Sequence, residues 1–427
     1  MIGGPPVTGQ PPVRTSGARG YAAVLSRPAV RGPAFGAVLG RIPAGMSPLA
    51  LLLLLHGRLG SFAFAGLVVT CYGLAAAAGM LVAGRLVDHR GAAVLMYGAA
   101  MSAAGLLGVI AAAVHGDRAW ALAAAVLAGA AAPPLVSCLR AVLGRVLDDP
   151  AELSAAFSLD TVTTEAVFLI GPVLVSAAVA VAGPEAALAA CAVLTLAGSV
   201  IFARAARSYL VPVIRRARPG PGSVPRLSGG QAAVLAAAGV QMLAIGFVEV
   251  GVTARAVAAG APALAGVLLA AWAAGSIAGG LIFGARRWPG SSRQQCGALL
   301  CVTAIGFAVL SAAPSLWVLG LLMPVAGLAV APLAAGLASI TSRSAPAHAR
   351  TGAFTWLAAA GTVGGAVGYG AAGAVTDGAG PGAALLCGAA LPLAGAVFLL
   401  WPARRSGRRS SDATGEPRIS ADQGRPT

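Results

Sequence analysis

The chain has 427 residues, 58% of them hydrophobic and only 10% charged, with a mean hydropathy of +0.85 and a net charge of +16. Soluble domains carry about 25% charged residues, so this composition excludes a water-soluble fold and fits a polytopic membrane protein. The 29 cations are all arginine against 13 acids, and their placement decides between a nucleic-acid partner and a membrane surface.

Residues 1–34 are rich in Pro, Gly and Arg, lack the apolar core of a secretory signal, and read as a disordered cytoplasmic tail. Apolar stretches long enough to cross a bilayer then fall at 36–57, 61–83, 92–114, 119–139, 157–182 and 185–203. After a break, six more fall at 231–253, 262–283, 295–313, 316–340, 352–376 and 381–401. The expected fold is therefore all-α, with twelve membrane helices in two six-helix pseudo-repeats over 35–203 and 231–401. Between them, 204–230 carries Arg204, Arg207, Arg215, Arg216, Arg218, Arg226 and the stretch Pro219 to Pro225, the composition of a flexible linker. Residues 402–427 read as a second solvated tail.

Cationic residues accumulate on the cytoplasmic side of short loops. With both termini inside, 26 arginines lie in cytoplasmic segments and three, Arg58, Arg118 and Arg255, lie outside. This split supports the even number of crossings and turns the basic surface toward anionic inner-leaflet lipid rather than nucleic acid. The six cysteines sit in or beside apolar runs with no metal-ligand spacing and read as buried small hydrophobes.

Between the second and third spans lies Gly84-Arg85-Leu86-Val87-Asp88-His89-Arg90-Gly91. The glycines permit a tight turn and close helix approach, and Asp88 can meet a helix N-terminus or an arginine across the cytoplasmic seam; an exposed loop carboxylate beside arginines is the plainer alternative. Here the chain resembles the major facilitator superfamily, with Gly84, Leu86, Asp88, Arg90 and Gly91 in the places of its conformational gate motif. His89 stands where arginine is commoner, and Ala92 and Ala93 replace a basic pair. A degenerate echo, Gly284 to Gly290, carries no acid and follows the second helix of the second half, where parallel repeats place it.

Gly171-Pro172 on span five is similar to a glycine-proline element of the superfamily's antiporters, where it implies a helix bend; plain packing explains it nearly as well. The mid-helix arginine typical of drug/proton antiporters on span four is missing, since Gly129 to Pro134 fill that region. Gly275 and Gly279, Gly280 and Gly284, Gly361 and Gly365, and Gly364 and Gly368 form small-xxx-small pairs. The resemblance implies that these faces meet the opposite half and slide, with static packing as the alternative. Gly368 to Gly373 matches a dinucleotide fingerprint in form only, because it lies inside an apolar helix.

A charge at mid-bilayer costs about 2.5 to 3.5 kcal/mol on insertion scales, so acids within spans are the best functional candidates. Glu165 is the first candidate for proton coupling or substrate binding, against a structural carboxylate bonded to Arg41 or Arg140. Glu249 ranks second and is placed to pair with Arg255. Asp160, beside Thr161, Thr163 and Thr164, is expected to cap span five. Trp272, Trp356 and Tyr369 read as cavity lining or packing. No convergent nucleophile, base or metal set stands out, so no enzyme, cofactor or metal is expected.

The expected function is secondary active transport of a small molecule by alternating access. Protons are the coupling ion that the family resemblance implies, and efflux of an apolar or cationic compound is expected because the cavity candidates are few, acidic and otherwise apolar. The expected partners are that substrate, protons and membrane lipid, with no nucleic acid. The protein is expected as a monomer, multi-pass in the inner (plasma) membrane with both termini cytoplasmic. A sensor or partner-binding protein without vectorial transport, or a membrane-embedded enzyme acting on lipid, remain as alternatives.

Overall fold

The computed structural model describes residues 26–210, 229–286, 288–344 and 350–400. Most of the expected tails and linker, at 1–25, 211–228 and 401–427, lies outside the described residues.

The described chain is helical throughout. The first six helices are α1 (Pro28–Leu59), α2 (Phe62–Arg90), α3 (Ala93–His115), α4 (Arg118–Ala130), α5 (Leu135–Val146) and α6 (Pro150–Ala206). The next six are α7 (Gly229–Ala258), α8 (Leu264–Ala285), α9 (Ser292–Ser311), α10 (Leu316–Gly327), α11 (Val330–Ser344) and α12 (Arg350–Leu400). Their starts follow local chemistry. Ser61, Asp117 and Ser315 each accept a backbone N–H three residues on, and Ser291 forms a reciprocal capping box with Gln294. α1 begins earlier than expected, so residues 28–34 belong to a helix rather than to the tail; Pro28 at its first position has a preset φ that suits helix initiation.

Ten helical stretches among the described residues are long and apolar enough to cross a membrane. α4 with α5 forms one of these, interrupted at Ala131–Pro134, so the fourth crossing runs on to Val146 instead of ending at 139. α10 with α11 forms another, running to Ser344. The two longest, Glu152–Ala206 and Gly352–Leu400, have 55 and 49 residues, about twice what one crossing needs. Each leaves helical geometry at one glycine, Gly183 at φ 84° and Gly380 at φ 85°, a region that only glycine enters without strain.

The chain turns back at both glycines. Along α1, Gly45 meets Val167 and Gly171 of α6, with Arg27 paired to Glu152 below and Arg58 to Glu185 above, so the two helices rise together. Beyond Gly183 the order inverts: Gly40 meets Gly198, Gly36 meets Phe202 and Gly32 meets Ala205. α7 treats α12 the same way. Gly239 meets Gly364 and Gly246 meets Gly368, and after Gly380 the contacts run from Leu385 on Gly251 back to Gly395 on Val240. A side chain at Gly198 or Gly364 would overlap facing backbone, which is why these helices can lie so close.

Large apolar side chains such as Trp317 and Val181 lie exposed on the outside, the belt expected of a surface that meets lipid rather than water. Inside, one core cluster joins both parts of the chain, with Leu51, Leu54, Val68 and Leu106 sharing it with Phe247, Leu269 and Leu385. At the end carrying Arg90 there are instead two separate clusters. One holds Val87, Leu95, Leu139 and Phe202; the other holds Val234, Cys296, Leu300 and Leu337. The molecule is thus packed as one body at one end and as two bodies at the other.

Candidate functional site

The sealed end is built on α2, α6, α8 and α12. Gly66 of α2 lies against the carbonyl of Tyr369 on α12, and Gly266 of α8 lies against the carbonyl of Pro172 on α6. The Thr70 hydroxyl donates to the Ala366 carbonyl at 2.5 Å and accepts from the Gly370 N–H at 3.1 Å. Nearer the helix ends, Asp377 of α12 takes three bonds at the start of α2: from the Ser61 hydroxyl at 2.7 Å and from the N–H groups of Phe62 and Ala63, both at 2.9 Å. A carboxylate at a helix N-terminus satisfies orphan donors and meets the positive end of the helix dipole.

Behind this seam, the Tyr369 hydroxyl donates to Glu249 of α7. The expected Glu249–Arg255 pair does not form. Arg255 instead donates to the carbonyls of Ser311 and Ala313, closing the end of α9. Tyr369 therefore touches the first part of the chain through its main chain and the Glu249 carboxylate through its side chain. Trp272 is buried in the shared core, and Trp356 is exposed.

At the other end Asp88, Arg85 and Arg90 are exposed and have no hydrogen-bond or ion-pair partner among the described residues, and Gly84 faces open space. Gly84, Leu86, Asp88 and Arg90 lie in the last two turns of α2 rather than in a loop, with Gly91 ending the helix at φ 73°, and among the described residues no hydrogen bond or ion pair from the second part of the chain reaches them. Its echo is closed differently, with Trp288 stacked on Phe283 at 5.5 Å and Gln295 bonded to the carbonyls of Trp288, Pro289 and Gly290.

Asp160 is no helix cap, because α6 begins ten residues before it. Its side chain is 1% exposed and binds Arg41 at 2.7 Å and Arg140 at 2.8 Å, so α1, α5 and α6 are tied at one carboxylate. The two arginines considered as partners of Glu165 are thus taken by Asp160, and Glu165 is exposed with no bond among the described residues. Ser154, Ser158, Thr161 and Glu165 follow helical spacing on the face that carries Pro172. The first three line an open groove of about 440 Å³ with Leu153 and Phe157. At the glycine-proline element, φ and ψ stay helical, and Gly171 serves a close contact with Gly45.

The small-xxx-small pairs were expected to meet the opposite half. Gly275 and Gly279 instead pack on Pro324 and Leu328, and Gly364 and Gly368 on Gly239 and Leu243, within their own part of the chain. Gly66, Gly266 and Asp377 were not singled out from the sequence. Gly66 and Gly266 each lie in the first turns of the second helix of their half, and that shared position is the signal in the sequence that points to the first two.

The sequence pattern described as Major Facilitator Superfamily matches residues 34–285. Among solved structures, the nucleoside transporter NupG is similar at 14% identity and TM-score 0.65, covering 87% of this chain and 98% of that one. The peptide transporter POT in complex with alafosfalin matches at 15% identity and TM-score 0.65, over 90% and 96%. The human organic anion transporter MFSD10 (TETRAN) matches at 19% identity and TM-score 0.57, over 91% and 100%. No curated protein sequence matches significantly. At these identities the structures speak for a shared fold alone, whereas the family pattern covers more than half of the chain: this protein belongs to the Major Facilitator Superfamily, a family of membrane transporters.

Proposed function

We propose that the chain is a secondary active transporter whose two six-helix halves, 35–203 and 231–401, rock against each other to expose a site alternately to the two sides. Folding back at Gly183 and Gly380 gives twelve crossings. Contacts that recur support a duplicated unit. Gly79 lies on Ala130 and Gly129 on Tyr72, while Gly279 lies on Leu328 and Gly327 on Trp272. The arginine distribution supports placing the Arg90 end, the linker 204–230, both tails and both termini on the cytoplasmic side, and we read the membrane as the plasma membrane. The state described here is then open to the cytoplasm.

The observation that carries this reading is the one-sided seam. A carrier of two states must hold one end shut while the other is open, with different contacts in each. Here Gly66, Thr70, Gly266 and Asp377 hold one end, while Asp88 stands unpaired at the other. We read the gate motif, Gly84, Leu86, Asp88, Arg90 and Gly91, as the group that finds partners when the cytoplasmic end closes. Pro172, beside Gly171, is read as part of the pivot, since it carries the contact with Gly266.

The transported species is read as a small molecule, moved outward by a monomer in exchange for protons. Glu249 and Glu165 are the coupling candidates. Glu249 is bonded to a residue of the seam itself, and Glu165 lies on the helix face that approaches the second half at Pro172. The test is flux in liposomes of purified protein under an imposed pH gradient, against a compound panel, for wild type, Glu165→Gln and Glu249→Gln. Gradient-driven flux should fall at least about tenfold in whichever variant loses the coupling group, a size consistent with removal of a proton-transfer residue. Flux indifferent to the gradient and to both substitutions would defeat proton coupling. Ligand binding with no flux would favour a sensor.

A further inference from the structure

The ion cluster on α1, α5 and α6 does not balance. Arg41, with its side chain 8% exposed, uses four of its five N–H donors within the cluster: Nε on the Ala37 carbonyl, Nη1 on Asp160 Oδ1 and Thr164 Oγ1, and Nη2 on Thr163 Oγ1. Asp160 gives its second oxygen to Arg140 Nε at 2.8 Å. Two cations share one anion, leaving one positive charge. It rests on Arg140, whose side chain is 49% exposed and whose Nη1 and Nη2 make no bond among the described residues. α5 contains no acid. Glu165, a carboxylate that could have neutralised the charge, is not bonded to it.

Asp160 holds this guanidinium by one side and fixes the direction of the other. The free edge, two parallel N–H groups on Nη1 and Nη2, has the geometry that pairs with two oxygens of a carboxylate or phosphate. α5 packs on α1 and α6, and its buried face joins Val87 and Leu95, so Arg140 lies at the unsealed end.

We propose that the free edge of Arg140 is an anion-binding fork, oriented by Asp160, that takes the carboxylate or phosphate group of a soluble organic anion or of a phospholipid headgroup. The inference concerns binding and is read without flux, so it stands or falls separately from proton coupling. It reverses the expected preference for cationic compounds, because the one carboxylate buried here is already neutralised by Arg41.

The test is the thermal unfolding midpoint of the full chain in detergent, for wild type, Arg140→Gln and Arg140→Lys. The probes are benzoate, glutarate and inorganic phosphate, with benzylamine as the cationic control. Phosphatidylglycerol is compared with phosphatidylcholine in separate arms. Binding to the folded protein raises the midpoint in a concentration-dependent way. The expected result is a rise with at least one anion and none with benzylamine, with apparent affinity at least about tenfold weaker in Arg140→Gln and a smaller loss in Arg140→Lys, which keeps the charge but not the fork. A response to free anions assigns a solute, and a response confined to phosphatidylglycerol assigns a headgroup. The proposal is overturned if no anion of either kind raises the midpoint, or if Arg140→Gln responds as wild type does. Should Arg140→Gln fail to fold, an unchanged response in Arg140→Lys overturns it equally.

Discussion

At the sealed end Gly66 of α2 meets Tyr369 of α12, and Gly266, 200 residues after Gly66, meets Pro172 of α6, which lies 197 residues before Tyr369. The same spacing of 197 separates the two turning glycines, Gly183 and Gly380. Carried along α6 and α12, it sets Asp160 opposite Leu357 and Glu165 opposite Thr362; along α2 and α8, the spacing of 200 sets Asp88 opposite Trp288. Backbone approach is therefore shared between the halves and side-chain chemistry is not. Close glycine contacts are needed wherever two helices must touch, whichever half they belong to. A charge in an apolar fold is costly and persists only where a partner has been built around it.

The largest effect that would break this comparison is expected at Asp160. Asp160→Leu copies the residue at the corresponding place of the second half but leaves Arg41 buried without its anion, which should cost about 3 to 5 kcal/mol. The loss would appear as little folded, monodisperse protein after extraction. Arg41→Met combined with Asp160→Leu should recover most of it, because a buried pair replaced by apolar residues is often neutral. If Asp160→Leu alone behaves like an ordinary apolar swap, the halves differ less than their charges suggest.

A middle effect tests the shared part. Val at Gly66 or at Gly266 would drive a side chain into the facing carbonyl, so each substitution should cost about 1 to 3 kcal/mol, the range for overpacking. Thermal midpoints should fall alike in both variants. Gly84 and Gly284, at the other ends of the same two helices, have nothing within 4 Å of an added methyl group. Ala there should stay within about 0.5 kcal/mol of wild type. A costly Gly66→Val beside a harmless Gly266→Val would show that the seam is not duplicated.

Much of this architecture can be read before any coordinates. Helix positions follow from apolar length, and the expected gaps at 183–184 and 377–380 contain the two glycines at which the chain reverses. The stretch from Gly84 to Gly91 is legible because its glycines and charges fall within eight consecutive residues, although helix α2 runs through it to Arg90. Asp160 reads as a cap in the sequence because its partners lie 119 and 20 positions away on other helices, and a threonine-flanked aspartate near a helix start looks the same whether it caps or pairs. Asp377 carries no signal of its role in the sequence, since the donors that hold it come from Ser61, Phe62 and Ala63, over 300 positions earlier. The glycine pairs drew attention through spacing, yet spacing shows only that a helix face is smooth, and neighbours within the same half used it first.

The smallest predicted effect sharpens the one place where the seam itself is unequal. Ser61 accepts the Phe64 N–H and donates to Asp377, so a single hydroxyl both caps α2 and joins α2 to α12. The corresponding helix of the second half has no such device: α8 starts after Ala263 with no side-chain cap. Ser61→Ala makes the start of α2 resemble that of α8 and should cost about 1 kcal/mol, the usual value of a lost cap. The Phe62 and Ala63 N–H groups continue to hold Asp377, so the seam should loosen without parting. Ser61→Thr keeps the hydroxyl and should restore most of the midpoint. Asp377→Asn, which leaves the cap but removes the charge from the helix N-terminus, should cost at least as much as Ser61→Ala, because bonds to a charged acceptor are worth more than neutral ones. If Ser61→Ala were the costlier of the two, the hydroxyl would matter chiefly to α2, and the tie between the halves would rest on the glycines alone.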